Sequence, residues 1–359
     1  MHPSRRKFIH DSSLLAAAGL AATHSAVAQA ESPLPTALTG QHPSFETPPT
    51  KRRGDMVYRE LGSTGEEVSL VGLGGSHIGQ QKDPEESIRI IRTAIDRGIT
   101  FLDNCWDYHD GESEHRMGRA LEDGYRQKVF LMTKIDGRTK DAAAKQIDES
   151  LERLKTDHLD LMQFHEIIQL DAPDRIFSEG GAWEAMDAAR KAGKVRYIGF
   201  TGHKDPMVHL RMLDEAKQHK VHFDTVQMPV NVMDAHFRSF TQQVLPRLIE
   251  EKIGPLAMKP FGSPYIVKEV IRSGVATPTE LHHYVMSLPV SVMITGIDSL
   301  KILDQAIESA RTYKALDAAA RAELVNRVAD AARDGKFEKY KTTAHFDGTA
   351  QHPQWLESA

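Results

Sequence analysis

From residue 57 onward, short apolar runs alternate with segments whose apolar positions recur at helical spacing. The runs are VSLVGLGG, TFLDNC, VFLMTKI, LDLMQFHE, VRYIGF, FDTVQMPV, GPLAMKPF and VSVMITGI, which makes eight candidate strands. Between them, DPEESIRIIRTAIDRG places Ile88, Ile91 and Ile95 on one helical face. TKDAAAKQIDESLERL does the same with Ala143, Ile147, Leu151 and Leu154. DPMVHLRMLDEAKQHK opens with Asp205 as a cap and Pro206 in the first turn, a helix-start signal. Ahead of the first run, two strand-like stretches flank Ser63-Thr64-Gly65 and predict a β-hairpin.

Eight strands with intervening helices in about 250 residues match an α/β fold of the (β/α)8 TIM-barrel type. The expected architecture is that barrel with an N-terminal β-hairpin and a C-terminal helical extension. Within the extension, the stretch 299–334 packs Leu303, Ile307 and Ala310 against the barrel. A doubly wound sheet is the weaker reading, because VGLGGSHIG lacks the Gly-x-Gly-x-x-Gly spacing of a phosphate loop. The barrel is expected over 57–340. Residues 341–359 read as a polar tail carrying one anchor, Trp355.

The first 56 residues have a different pattern. SRRKFIH at 4–10 precedes the weakly apolar LLAAAGLAA at 14–22, followed by Ala26-Val27-Ala28 and Ala28-Gln29-Ala30. Positive start, short apolar middle and small-residue exit are the parts of a secretory signal. Nine apolar residues fall short of the roughly 20 that span a bilayer, so no stable membrane anchor is expected. The motif resembles the twin-arginine signal S/T-R-R-x-F-L-K, which implies recognition by the twin-arginine export machinery and a periplasmic destination. Residues 31–56 hold five of the seventeen prolines and then the basic KRR at 51–53. They read as a linker with little order.

Removing residues 1–30 takes away Arg5, Arg6, Lys7 and Asp11, a net +2, and moves the formal charge from −5 to about −7. An acidic chain without basic runs argues against a nucleic-acid partner. Cys105 is the only cysteine, so no intramolecular disulfide is possible. That suits a protein that folds before export.

A barrel carries its active site at the C-terminal ends of its strands. The polar residues at those ends are Asp103 and Asn104, Lys134, His165, Thr201 and His203, Gln227 and Asn231, and Lys259. Buried lysine and aspartate need partners, so Asp103 and Lys134 are expected to face each other. Tyr108 lies five residues past Asp103, where the second strand gives way to a loop. A free tyrosine has a pKa of about 10, and an adjacent ammonium is expected to lower it. A neutral His165 donating to a substrate oxygen completes a set that protonates a carbonyl oxygen while hydride reaches its carbon.

GITFLDNCWDYHDGESEHRMGRAL resembles the aldo-keto reductase pattern G-x-x-x-x-D-T-A-x-x-Y-G-x-S-E-x-x-x-G-x-A-L. VFLMTK and DLMQFHE are similar to its two following motifs, and the resemblance runs from about Tyr58 to Ala310. It implies a catalytic tetrad of Asp103, Tyr108, Lys134 and His165, and a small carbonyl or alcohol substrate. It also implies NADP(H) or NAD(H) held by Thr201, Gln227, Met258, Lys259, Gly296, Asp298 and Ser299. Three positions depart from the pattern. The usual Ser-Asn pair reads Thr201-Gly202, the stacking tyrosine is Met258, and Asp298 stands where an arginine often clamps the 2'-phosphate. With Lys301 close by in sequence, the preference between the two coenzymes stays open.

His77 and Trp106 are candidate substrate contacts, and Tyr265 shares the even choice between lining the pocket and packing. Cys105 reads as a small buried hydrophobe. His77, His109, His115 and His203 show no close ligand spacing, so no metal is expected. Three functional readings follow. They are a nicotinamide-dependent carbonyl reductase or alcohol dehydrogenase, a non-catalytic nucleotide-binding redox sensor or scaffold on the same fold, and a Schiff-base lyase using Lys134. Export after folding further implies that coenzyme is taken up in the cytoplasm, held tightly and recycled in place.

Overall fold

In the computed structural model, the described residues are 44–262 and 266–357. The expected export signal, the first half of the 31–56 segment and Tyr265 lie outside them. Three short strands come first: β1 Lys51–Arg53, β2 Met56–Glu60 and β3 Glu67–Ser69, paired antiparallel in that order. Eight parallel strands follow: β4 Val71–Gly74, β5 Phe101–Asp103, β6 Phe130–Ile135, β7 Leu159–Phe164, β8 Val195–Thr201, β9 Thr225–Pro229, β10 Gly254–Met258 and β11 Val292–Gly296. They close as β10-β11-β4-β5-β6-β7-β8-β9. All eight apolar runs became barrel strands, and the hairpin around 63–65 is β2–β3.

Strand parity organises the interior. Successive side chains of a strand point to opposite faces. Phe101, Phe130, Met132, Leu161, Leu256, Val292 and Ile294 face inward and form one apolar cluster. Leu61 and Val68 of the hairpin segment join it, so the hairpin plugs the end of the barrel where the strands begin. Gly62 makes that fit possible: its φ is +54°, and an added Cβ would lie 2.4 Å from the Gly254 backbone nitrogen. Arg59 fastens the hairpin by donating to the carbonyls of Met286, Leu288 and Val290.

The helices form the outer layer. Asp83, Thr139 and Asp205 cap Pro84–Asp96, Lys140–Arg153 and Pro206–Gln218 with their side chains. Ala143, Ile147, Leu151 and Leu154 are buried as expected. In the first helix Ile90, Ile91 and Ile95 are buried, whereas Ile88 is only partly covered. Leu303, Ile307 and Ala310 of Leu300–Thr312 pack inward.

Two expectations about the ends need correction. Residues 51–53 are not a loose linker, because Lys51, Arg52 and Arg53 pair with Tyr58, Val57 and Met56. Just before them, Thr47 Oγ1 donates to the Ser287 carbonyl and Arg321 to the Phe45 carbonyl, both at 2.7 Å. Nor is the C-terminal segment a polar tail with one anchor. Lys341 is fully buried and lies 2.7 Å from Asp234 and 2.8 Å from Glu338, both also buried. A sequence pattern misses this because a lysine reads as surface unless Asp234, over 100 residues away, is known to meet it.

Removing one member of a buried charge cluster strands the others. Lys341→Met should lower stability by about 3–5 kcal/mol, read as an earlier midpoint in urea unfolding.

Candidate active site

The inward parity that builds the apolar plug delivers polar groups one step further along each strand. Asp103 follows Phe101, Lys134 follows Met132, and His165 follows Leu161 and Gln163. Thr201, Met258 and Gly296 end their own strands, and Gln227 lies in the middle of β9. They surround a cavity of about 770 Å³ at the C-terminal mouth of the barrel.

Lys134 lies at its floor, 1 % exposed as a side chain, 2.5 Å from Asp103 Oδ1. Its ammonium also donates to the Asn104 carbonyl at 2.6 Å and to Tyr108 Oη at 3.4 Å. Tyr108 stands edge-on to His165, with ring centroids 5.9 Å apart. The four residues of the expected tetrad therefore converge. The electrostatics differ from the sequence expectation. Burial, then Asp103, Cys105, Asp107 and Glu166, raise the Tyr108 phenol well above its ordinary value. Lys134 does not reverse this, since Asp103 and the Asn104 carbonyl already hold its charge. Tyr108 is thus a protonated donor at neutral pH.

His165 also departs from expectation. Its Nδ1 lies 2.9 Å from Asp136 Oδ1 and 3.6 Å from Asp107 Oδ1. A neutral imidazole that donates from Nδ1 to Asp136 has a bare Nε2, an acceptor rather than the expected donor. Burial alone would lower the His165 pKa, but Asp107 and Asp136 overcome it and raise it. Burial, then Asp136, pushes the Asp107 carboxyl up to about 6. The donor atoms of Cys105, Asp107, Asp136 and His165 come within 4.8 Å of one another. Asp107, Asp136 and Glu166 escaped sequence reasoning; their only signal was their place beside strand ends.

Across the barrel from β5, Thr201 pairs in register with Gln227. Thr201 Oγ1 and Gln227 Oε1 are buried and have no hydrogen-bond partner. A carboxamide offers one donor pair and one acceptor, so these two side chains fit the amide of a nicotinamide. Met258 and Gly296 line the cavity with them, and His77 packs directly over Gly296. Asp298 and Ser299 lie outside the cavity lining, on the rim. Ser299 caps Leu300–Thr312, whose free N–H groups suit an anion. Lys259 lines the cavity too, its ammonium 5.5 Å from the ring centres of both Tyr340 and Phe346. Trp106 is not a cavity residue. It donates to Glu149 at 2.6 Å and meets Trp355 edge-on at 6.0 Å, and Trp355 is the indole that lines the cavity.

The C-terminal segment forms part of the cavity wall through His345, Phe346, Gln351, His352 and Trp355. Glu166, one residue past His165, accepts from the Gly348 and Thr349 backbone N–H groups at 3.1 and 2.7 Å and from the Thr349 hydroxyl at 2.8 Å. Lys204 donates to Asp347, and Arg138 joins the carbonyls of Asp136 and His165 while its own N–H donates to the Leu356 carbonyl.

A model of the aldo/keto reductase family matches residues 70–325, and the chain belongs to that family. Among curated relatives, aldo-keto reductase YhdN of Bacillus subtilis (strain 168) is 31% identical over 216 residues, 56% of this chain and 61% of that protein. L-galactose dehydrogenase of Arabidopsis thaliana is 35% identical over 156 residues, 40% of this chain and 48% of that one. The chain thus matches about three fifths of the first relative and about half of the second. The holo form of aldo-keto reductase AKR11C1 from Bacillus halodurans superposes with a TM-score of 0.62 at 20% identity, covering 75% of this chain and 95% of that one. An aldo/keto reductase from Klebsiella pneumoniae in complex with NADP and acetate gives 0.60 at 22% identity, covering 76% and 95%. These two share the fold.

Hydrogen bonds to a charged acceptor contribute about 1.5–3 kcal/mol each. Glu166→Gln should therefore loosen the C-terminal segment. Limited proteolysis should cut near residues 343–352 faster than in the native chain, with the circular dichroism of the barrel unchanged.

Proposed function

We propose that the protein is an NAD(P)(H)-dependent oxidoreductase of the aldo-keto reductase type, acting on a small carbonyl or alcohol substrate. The observation that carries this reading is the convergence of Tyr108, Lys134 and His165 at one side of the cavity. Opposite them, two unpartnered side chains suit a nicotinamide amide. Thr201, Gln227 and Met258 would hold the nicotinamide, and Gly296 with the capped helix after Ser299 would receive its phosphates. When bound, the coenzyme supplies or accepts the hydride.

In reduction, Tyr108 gives its phenolic proton to the carbonyl oxygen as that oxygen gains charge. Lys134 stays 3.4 Å from the phenol oxygen and stabilises the phenolate left behind. Asp103 keeps Lys134 in place, and His165, when both of its ring nitrogens carry protons, directs Nε2–H to the same oxygen. Oxidation of an alcohol runs the proton in reverse and requires the phenolate. Because Tyr108 is held protonated, it is ready to donate to a carbonyl oxygen near neutral pH, and the rate of oxidation, which needs the phenolate, should rise with pH. The ammonium of Lys134 is engaged by Asp103 and the Asn104 carbonyl, which argues against a lone pair free to form an imine.

Export through the twin-arginine route into the periplasm belongs to this proposal and is supported by SRRKFIH and the segment after it. Folding before export allows the coenzyme to be bound in the cytoplasm and kept. Cell fractionation with mass spectrometry of the intact protein should find it outside the inner membrane with bound nucleotide. A cytoplasmic protein retaining residues 1–30 would refute this part.

Tyr108→Phe removes the acidic hydroxyl alone. Reductase activity, followed as nicotinamide absorbance, should fall by at least 10² to 10⁴-fold, while coenzyme affinity measured by fluorescence quenching stays near normal. Unchanged turnover would sink the mechanism. Asp298 is exposed at the rim and repels a 2'-phosphate there. Asp298→Ser should shift the ratio of affinities toward NADP(H), measured by titrating both coenzymes.

A further inference from the structure

Two loops bring carboxylates to one nitrogen of His165. Asp136, just past β6, places Oδ1 2.9 Å from Nδ1, and Asp107, past β5, places Oδ1 3.6 Å away. The Asp136 side chain is wholly buried. Its Oδ2, like Asp107 Oδ1, is closed to solvent and has no hydrogen-bond partner. Two carboxylates in so dry a place need a balancing positive charge. Neither neighbouring cation bonds either carboxylate. Lys134 pairs with Asp103, and the Arg138 guanidinium donates to the backbone carbonyls of Asp136, His165 and Glu166. The imidazole is the group that lies within 3.6 Å of both acids, while Arg138 adds positive charge beside Asp136 through space.

We propose that Asp136 and Asp107 are positioning residues that keep a proton on both ring nitrogens of His165, so that Nε2–H meets the reacting oxygen as a charged donor. The proposal rests on the reading that His165 contacts the substrate oxygen. It adds two residues that work through it. The remaining groups around the ring are Glu166 on the same strand end, the Cys105 thiol, the Tyr108 ring and the more distant Lys134 and Lys259. Of these, Glu166 also favours the charged ring. An ionised donor makes a hydrogen bond roughly twice as strong as a neutral one. That supplies the polarising charge which Lys134, neutralised by Asp103, no longer offers to the substrate.

The sign of the pH effect follows. His165 gains its proton more readily than an ordinary imidazole, so the charged donor persists to higher pH than an ordinary imidazole would and is lost as pH rises through its raised pKa. Tyr108 titrates far higher. The alkaline fall of the reductase rate therefore reports His165 first. Without Asp136, one of the two carboxylates that favour the charged ring is gone and the fall moves to lower pH.

The test uses the full-length protein labelled with 15N-histidine, with His165 assigned by comparison with His165→Asn. NMR titration should find His165 keeping both ring protons to higher pH than an ordinary imidazole, and Asp136→Asn and Asp107→Asn should each move its titration to lower pH. In Asp136→Asn the alkaline limb of the rate should follow the ring. There kcat should fall on the order of tenfold to a hundredfold, with KM changing less, and Asp136→Glu should restore part of both. A ring in the native protein that titrates below the ordinary imidazole value of about 6.5 would overturn the proposal. So would a titration unmoved in both variants, or a stoichiometric divalent cation found at Nδ1 in place of the proton. The NMR readout needs no turnover. It can therefore fail while Tyr108→Phe still abolishes reduction, which would separate this proposal from the oxidoreductase reading.

Discussion

An ammonium at the bottom of a 770 Å³ cavity, 1 % exposed, is the constraint from which the rest of the site follows. Burying Lys134 without compensation would cost several kcal/mol. Asp103 on the adjacent strand and the Asn104 carbonyl provide that compensation. Their contacts couple the ends of β5 and β6 and turn the following loop so that Tyr108 reaches Nζ. The same neutralisation has an electrostatic consequence. A lysine already paired with a carboxylate does little to acidify the neighbouring phenol, so Tyr108 stays a neutral acid. The positive charge near the reacting oxygen then falls to His165 between its two acids. Each residue's role is set by the partner that the previous one has already taken.

The second organising feature is the C-terminal segment. In the chain it follows everything else, yet it forms part of the cavity wall and is fastened to strand ends that also carry catalytic groups. Glu166 adjoins His165 and accepts three hydrogen bonds from Gly348 and Thr349. Arg138 spans the ends of β6 and β7 and the Leu356 carbonyl. The shape of the substrate space is thereby coupled to the geometry of the donors. Phe346, His352 and Trp355 give that space an aromatic and imidazole-rich wall.

Much of the barrel was legible in the chain because its information is local. Alternation of apolar runs and helical faces marks strands and helices, and a period of two assigns Phe101 and Asp103, or Met132 and Lys134, to one face. The convergence of Asp103, Tyr108, Lys134 and His165 was legible for the same reason, since Tyr108 follows Asp103 by five residues and the others stand at or beside the ends of their own strands. The errors have a common origin. KRR at 51–53 looked loose because its partner strand is visible only through pairing. Trp106 looked like a pocket residue because its loop is near the mouth, yet it serves as a support for Trp355, some 250 positions away.

By itself, then, the sequence determined the strand order, the inward phase and the identity of the groups at the barrel mouth, because backbone sterics and hydrophobic periodicity act over a few residues. Only the tertiary structure decided what those groups are chemically. The protonation of Tyr108 and His165, the joint presence of Asp107 and Asp136 at one nitrogen, and the conversion of a polar tail into a wall all depend on burial and on charges distant in sequence. Coulomb interactions and desolvation are set by distance in space, and no local pattern records that distance.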